Sequence, residues 1–392
     1  MATGPNACPT TRSASTTERE GARAVGLSFA GPTLRRSVPT MAALTADHLL
    51  SGPRGRGVCM AVARRLDDGI ASALSSRRDS VDGSRHDALI RALEAVDALP
   101  VKAWRDPLWF LEALDESVSG AMYWQPPHPE DVVSADPEVV AALRPVADAV
   151  VVSPAAAWWS TPVDLAALRY TCRHDADPPS PPVLLGARER LRRWRAETVA
   201  DDRRAARERP VDLEASYSGL WWSTPAMAQL VTTTRPLPRL GSAALAWEED
   251  SFGQGSAAVW SMQATFEPRV WEVDGPEAWT RLVDRYPLDV TFARRHDWYR
   301  TTGLAGRWRI PDWDAVAEDW DAVHVSVAGY LTTATRALPL ADGASATVLA
   351  GWSPDQAWWL RDVLTTTTPR PESWRWTEHT DGSEPAWRRT DE

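Results

Sequence analysis

Signals for a strand and then for a helix follow one another in Arg269-Val-Trp-Glu-Val-Asp-Gly-Pro-Glu-Ala-Trp-Thr-Arg-Leu-Val283. This stretch opens with valines and a tryptophan, which are residue types that favour strands. Pro276 suits the first turn of a helix, where its missing N–H costs nothing, and Glu277 interacts favourably with the helix dipole. The stretch therefore predicts a strand that passes directly into a helix.

Similar patterns continue on both sides of this stretch, after residue 215. Segments 257–266 and 322–331 are predicted strands, and 310–320 contains a short predicted helix. Segment 346–352 is expected to pair antiparallel with 322–331 across the Asp342-Gly343 turn. These patterns predict a mixed, mainly antiparallel β-rich C-terminal half with short helices.

The first half of the chain has apolar residues at helical spacing. Residues 87–99 place Leu89, Leu93 and Val96 on one helix face. Asp136 followed by proline has the pattern of an N-cap with proline at the first helical position. Residues 186–209 are rich in arginine and glutamate and predict a further, solvated helix. The fold class is therefore α+β, with a helical N-terminal half.

Composition divides the chain into four segments. Residues 1–40 are rich in Thr, Ser, Gly, Pro and Arg without helical or strand period, which is typical of a disordered tail. Translation from Met41 is the alternative to a real tail. We expect a mainly helical domain at 41–214, an α+β domain at 215–370 and a frayed C-terminal tail at 371–392.

Charge and composition exclude several classes of protein. The net charge of −10 and the pI near 5.3 disfavour general nucleic-acid binding and acidic membranes, both of which need a basic face. No run approaches the 18 apolar residues of a membrane-spanning helix. The three cysteines form no CxxC pair, which disfavours a cysteine zinc site and fits a reducing compartment. We expect a soluble cytoplasmic protein whose partner is an unknown small molecule or protein.

Tryptophan is unusually abundant, with 22 residues against six tyrosines and five phenylalanines. The sequence Trp-Trp-Ser-Thr-Pro occurs at 158–162 and again at 221–225. In each copy the threonine is expected to cap a helix whose first residue is the proline. The indoles pack in the core, with their N–H groups bonded to carbonyls, or line a ligand groove. A core role predicts that Trp271, Trp320 and Trp352 are buried.

The strong catalytic and cofactor motifs are absent. The sequence has no GxxxxGK[ST] loop, no GxGxxG that opens a helix, no HExxH, no GxSxG and no EF-hand loop, so the cofactor is unknown. Gly52-Pro-Arg-Gly-Arg-Gly57 is the nearest approach to an anion-binding nest. A plain turn leading into a helix is the favoured interpretation of that segment.

Two histidines stand close to carboxylates in the second half. His324 follows Asp321 by three residues, and His296 directly precedes Asp297. A neighbouring carboxylate fixes the tautomer of a histidine and raises its basicity. The simpler expectation is that His324 is a half-exposed strand residue and His296 a surface loop residue. The acidic turn at 248–253 is either solvated or a contact for a cation or a ribose hydroxyl.

Six short stretches carry a resemblance to known proteins. They are Val270-Trp-Glu-Val-Asp-Gly-Pro-Glu-Ala-Trp279, Arg285-Tyr-Pro-Leu-Asp-Val-Thr291, Ile310-Pro-Asp-Trp-Asp-Ala-Val-Ala317, Val323-His-Val-Ser-Val-Ala-Gly-Tyr-Leu331, Leu349-Ala-Gly-Trp352 and Leu49-Leu-Ser-Gly-Pro-Arg-Gly-Arg56. Through them the chain resembles a tryptophan-rich family of proteins from GC-rich Gram-positive bacteria. The resemblance supports a domain over 269–352 and implies no particular activity.

Two functional hypotheses follow. The first is a non-catalytic binding or interaction protein, favoured by the missing catalytic signature and the many tryptophans. The second is a NAD-using enzyme on an ADP-ribosyltransferase-like β core, a class that gathers basic, aromatic and acidic side chains around NAD. Its candidate catalytic residues here are Arg235, Glu249, His324 and Tyr330. Their convergence on one pocket would favour the enzyme.

Overall fold

The computed structural model describes residues 43–75, 83–96, 107–174, 179, 181–247, 249, 255–377 and 386–390. The predicted tail at 1–40 and the alternative start at Met41 lie outside these ranges. Within them the protein has the α+β fold that the sequence predicts, with most helices in the first half. No helix in these ranges is long and apolar enough to cross a membrane.

The helices of the first half precede most of the strands. They are α1 (Ala46–Ser51), α2 (Pro53–Leu66), α3 (Asp68–Ser75), α4 (Gly83–Ala95), α5 (Pro107–Ser119), α6 (Pro129–Ser134), α7 (Pro137–Ala142), α8 (Arg144–Val152) and α9 (Ala187–Glu208). Further helices follow in the second half: α10 (Pro276–Arg285), α11 (Thr291–Thr302), α12 (Trp313–Asp319) and α13 (Val327–Thr333).

The strands form three small sheets, in which most neighbours are antiparallel. The first contains β1 (Leu168–His174), β3 (Ser256–Ala264), β12 (Glu372–Thr377) and β13 (Ala386–Arg389) in that order, with β11 (Leu364–Thr366) also on β3. The second has the order β2 (Thr232–Thr233), β10 (Gln356–Trp359), β7 (Ala322–Val325) and β4 (Val270–Val273). The third has the order β5 (Pro287–Asp289), β6 (Arg307–Pro311), β9 (Ser345–Thr347) and β8 (Leu338–Pro339).

The segment 269–283 forms the predicted strand and helix, β4 and α10. Pro276 occupies the start of α10, and Glu277 lies in its first turn. Strand β4 pairs parallel with β7, and a parallel pair needs a crossover connection such as the one that begins with α10. Two side chains at the same register, Glu272 and His324, are thereby placed on neighbouring strands.

The start of α7 confirms the capping pattern that the sequence shows at Asp136, and α1 has a similar cap. The Asp136 carboxylate accepts a hydrogen bond from the Glu138 N–H at 2.9 Å, and Thr45 accepts one from the His48 N–H. The arginine-rich segment forms α9, close to the predicted bounds.

The segment 322–331 differs from its predicted form. Its strand ends at Val325, because the Ser326 hydroxyl accepts a hydrogen bond from the Gly329 N–H at 3.0 Å and so caps α13. Strand β7 pairs with β10 and β4, so the predicted pairing of 346–352 with this segment was wrong. Segment 371–392, which we expected to fray, contains the paired strands β12 and β13.

The two Trp-Trp-Ser-Thr-Pro copies do not begin capped helices, so this prediction was wrong. The Thr161 hydroxyl donates to the Trp158 carbonyl at 2.7 Å, and the chain from 161 to 164 is irregular. The second copy leads only into a single 3-10 turn, Ala226–Ala228, that no side chain caps. The proline that follows each threonine is therefore not the first residue of an α-helix.

The tryptophans are largely structural. Trp279, Trp313 and Trp352 are fully buried with ring centroids 6.0–6.4 Å apart. Trp271 and Trp320 are only half-buried, and they pack edge to face at 5.1 Å. The expectation of burial is therefore right for Trp352 and too strong for the other two.

Candidate functional site

Two of the predicted site residues, Arg235 and His324, meet at one carboxylate, that of Asp355. Arg235 follows β2, His324 lies in β7, and Asp355 directly precedes β10, which pairs with both strands. The Arg235 Nε donates to Asp355 Oδ1 at 2.7 Å, and the His324 Nε2 lies 3.5 Å from the same oxygen. The sheet order β2-β10-β7 thus brings together residues that are far apart in sequence.

The other ring nitrogen of His324 faces a second carboxylate. His324 Nδ1 lies 2.6 Å from Glu272 Oε2, across the parallel β4–β7 pair. Burial by itself lowers the pKa of His324. The Glu272 and Asp355 carboxylates raise it by more than burial lowers it, so the pKa rises to about 9. The imidazole is therefore charged at neutral pH. Contrary to the expectation of a half-exposed residue, it is buried.

A backbone segment closes these contacts into a ring. Arg235 Nη2 donates to the Pro162 carbonyl at 3.1 Å, and the Val163 N–H donates to Glu272 Oε1 at 3.1 Å. Both backbone groups belong to the same peptide unit. The Arg235 guanidinium also lies over the Trp158 ring at 4.8 Å. The charged groups of the ring are thus bonded to one another and to the chain that covers them.

The other two predicted residues, Glu249 and Tyr330, also meet, with Tyr123 as a third member. The Tyr330 and Tyr123 hydroxyls donate to Glu249 Oε1 at 2.7 and 2.6 Å, and the Gly351 N–H donates to Oε2 at 2.8 Å. All three side chains are buried. Burial raises the pKa of Glu249 to about 8, although each of these hydrogen bonds lowers it.

The four predicted residues therefore form two separate clusters. Asp355 belongs to the first and Gly351 to the second, so the clusters lie at the two ends of the 351–355 segment. No hydrogen bond or ion pair between the described side chains joins them.

Sequence reasoning missed Glu272, Asp355 and Tyr123. Only Glu272 had a signal, because a carboxylate at the same register in a parallel neighbour is within reach of His324.

Two further expectations from the sequence concern His296 and the glycine-rich segment 52–57. His296 is buried within α11, and its ring is tilted against the ring of Tyr217 with the centroids 5.5 Å apart, so the surface-loop assignment was wrong. Burial, with a smaller effect of the Arg295 charge, lowers its pKa. Gly52–Gly57 forms the start of α2, as the favoured interpretation has it. Arg54 within it is buried against the Ser117 carbonyl and Asp131 and is therefore not offered to an anion.

An open cleft of about 1000 Å³ lies between α5, the 236–246 loop and the β12–β13 hairpin. On the hairpin, residues of one face alternate along each strand. Trp374 and Trp376 share this face on β12, and their register partners on β13 include Trp387. The Trp376 and Trp387 rings pack edge to face at 5.8 Å. Three indoles therefore form one wall of the cleft.

Of these indoles, one is exposed and another has an N–H group without a hydrogen-bond partner. Trp376 is 41% exposed. Trp374 is only 8% exposed, and its indole N–H has no hydrogen-bond partner among the described residues. A Cβ added at Gly241 would lie 2.9 Å from this nitrogen, so Gly241 packs directly against the edge of the indole and leaves the N–H no accessible surface. A buried donor without a partner costs free energy and is uncommon in native structures.

The carboxylates of the cleft wall each have a basic neighbour. Glu112 lies 3.6 Å from Arg65, and Glu372 lies 3.8 Å from Arg389. Burial raises the pKa of the third acid, Asp115, to about 6, against the opposing effect of the Arg173 charge.

Two arginines of the same wall have no such partner. Arg169 and Arg239 line the cleft and make no ion pair within the ranges that the structure describes. Arg388 also borders the cleft without an ion pair among the described residues, but it shares a register position with Arg375, on the face of the hairpin opposite the tryptophans. The cleft therefore has two uncompensated positive charges beside an aromatic wall.

Comparisons with protein-family models, with curated proteins and with solved structures find no match to this chain.

Proposed function

We propose that this protein is a binding protein whose ligand occupies the cleft between α5, the 236–246 loop and the β12–β13 hairpin. The observation that carries the proposal is the exposed ring of Trp376 in the wall of a cleft that Arg169 and Arg239 also line. A flat ligand surface would cover Trp376, and an anionic group of the ligand would pair with the two arginines. Binding pockets commonly combine an apolar wall with a few polar groups of this kind.

A NAD-using enzyme on an ADP-ribosyltransferase-like core is the second candidate. The contact of Arg235 and His324 with the shared carboxylate of Asp355 favours it. Against it stands the position of Glu249, whose two oxygens already accept three hydrogen bonds inside the protein. The Arg235–His324 cluster is likewise covered by the 162–163 peptide unit. Both clusters fit a structural role better than direct contact with a substrate.

The binding function predicts ligand-dependent stabilisation that depends on Trp376. A thermal-shift screen against phosphorylated metabolites, sugars and amino acids should yield compounds that raise the melting temperature, because a ligand of the folded state stabilises it by mass action. Replacing Trp376 with Ala should weaken binding of these compounds about tenfold or more in calorimetric titration, since stacking on an exposed aromatic contributes about 1–3 kcal/mol.

The matched control is Phe266→Ala, which removes another exposed aromatic, 55% exposed, that lies outside the cleft wall. It should leave the affinity unchanged. The proposal fails if no compound of the screen stabilises the wild-type protein, or if the Trp376→Ala variant binds the stabilising compounds as well as the wild type does.

A further inference from the structure

We infer that the ligand of this cleft is a nucleotide, whose base stacks on Trp376 and whose phosphate lies between Arg169 and Arg239. The inference rests on the proposed binding function and specifies its ligand class. It is carried by three features of the cleft: its charge balance, its aromatic wall and the backbone of the turn that presents Arg239.

The arginines of the cleft wall favour an anionic ligand. Each carboxylate of the wall has a basic neighbour, whereas Arg169 and Arg239 have no carboxylate partner among the described residues. The whole chain has a net charge of −10, yet this wall presents two guanidinium groups that no carboxylate of the described residues neutralises. Guanidinium groups bind phosphate through short, charge-assisted hydrogen bonds that are stronger than neutral ones.

The aromatic wall requires a flat ring next to that anion. Trp387 is covered on one side by the Arg173 guanidinium at 5.2 Å and packs against Trp376 on its edge. The exposed surface of Trp376 is therefore the part of the wall left for a ligand. Nucleobases stack on such rings with little dependence on base identity.

The backbone at Arg239 is arranged at a cost. Leu237 and Leu240 bridge across a two-residue turn, in which Arg239 has a φ of +66°. Glycine suits this position, because a side chain in the left-handed region is strained. Strained residues concentrate at ligand sites, where the conformation presents a side chain that function needs. Glycine would relieve the strain of this turn, but arginine places a charged group in the wall of the cleft.

The test compares five probes by calorimetric titration of the full chain: AMP, adenosine, ribose 5-phosphate, inorganic phosphate and maltose. We expect AMP to bind at least about tenfold more tightly than adenosine or ribose 5-phosphate, because only AMP has both a base and a phosphate. Arg239→Gly should weaken AMP binding about tenfold or more and leave adenosine binding unchanged. Its melting temperature should not fall, because glycine relieves the strained turn.

The control variant is Arg203→Ala, which removes an exposed arginine of α9 without an ion pair in the described ranges. It should bind AMP like the wild type. If maltose binds, loses affinity in Trp376→Ala and AMP does not bind, the nucleotide inference is overturned and the binding function stands. Equal affinity for AMP and adenosine, or for AMP in the wild type and in Arg239→Gly, also overturns it. If none of the five probes binds, the nucleotide inference fails, and the broader screen decides the binding function.

Discussion

The fold raises the pKa of the Glu249 carboxyl group into the neutral range. Its pKa is about 8 in the folded protein, against an ordinary value of 4.5. Between these two values the folded protein binds a proton that the unfolded chain has lost. The free energy of unfolding therefore falls as the pH rises from about 4.5 to about 8. The loss is on the order of a few kcal/mol, since one pKa unit corresponds to about 1.4 kcal/mol.

The prediction is tested with Glu249→Gln, which resembles the protonated carboxyl and does not titrate. Denaturant unfolding of both proteins between pH 5 and pH 8.5 should show that the stability difference, wild type minus variant, decreases with pH. The comparison separates Glu249 from His324, whose pKa of about 9 gives both proteins the same further loss of stability between pH 6.5 and pH 9. A pH-independent difference would show that Glu249 stays ionised in the folded state.

At the residue scale, sequence reasoning found candidates but not their arrangement. Arg235 and His324 were selected as polar residues in a β-rich segment, and the structure brings them to one carboxylate. That carboxylate, Asp355, has a φ of +59° in a turn, for which no sequence pattern is available. Glu249 and Tyr330 were selected for the same hypothetical pocket, yet they bond to each other in the interior. The wall of the cleft was missed, since 371–392 was expected to fray.

The helix α13 illustrates how one residue determines the position of an element. Its Gly329 lies so close to β4 that an added Cβ would stand 2.0 Å from the Val273 carbonyl oxygen. Helix propensity alone would make Gly329→Ala stabilising by about 0.5–1 kcal/mol. The steric clash with backbone reverses the sign, so we expect this variant to unfold at a clearly lower temperature.

The control for this prediction is Gly306→Ala. Its added Cβ would meet only the Leu304 side chain at 3.6 Å or more, which is ordinary contact, and its φ is not in the left-handed region. Its melting temperature should stay within about two degrees of the wild type. An unchanged melting temperature for Gly329→Ala would mean that α13 is free to move away from β4.

At the element scale, the sequence predicts helices and strands where local chemistry is decisive. Pro276 and Asp136 begin helices as their residue types require. The prediction fails where two local signals compete. In 322–331 the alternating valines favour a strand, but Ser326 caps a helix after Val325, and tertiary contact through Gly329 decides the outcome. The short strands β10–β13 have too few residues for a clear period.

The core of the whole molecule does not stop at residue 214, the boundary that composition suggests. One hydrophobic cluster extends from Ala46 in α1 to Leu360 after β10. Helix α2 packs against α13, and the buried Arg54 donates to Thr335 at 3.2 Å. A boundary in composition is therefore not a boundary in packing.

A shared core predicts a single cooperative unfolding transition, because neither half retains its buried surface when the other unfolds. Differential scanning calorimetry should give one endotherm whose calorimetric and van't Hoff enthalpies agree.

Leu49→Ala in α1 and Val325→Ala in β7 both remove buried side chains, on opposite sides of residue 214. The leucine variant should lose about 2–5 kcal/mol and the valine variant somewhat less. Each should shift the whole endotherm, and near-ultraviolet and far-ultraviolet circular dichroism should melt together. If the trace instead resolves into two transitions, and Leu49→Ala lowers only one of them, then 41–214 and 215–370 are independent domains. In that case the contacts between α2 and α13 form an interface between two bodies, and the common core does not make them unfold as one.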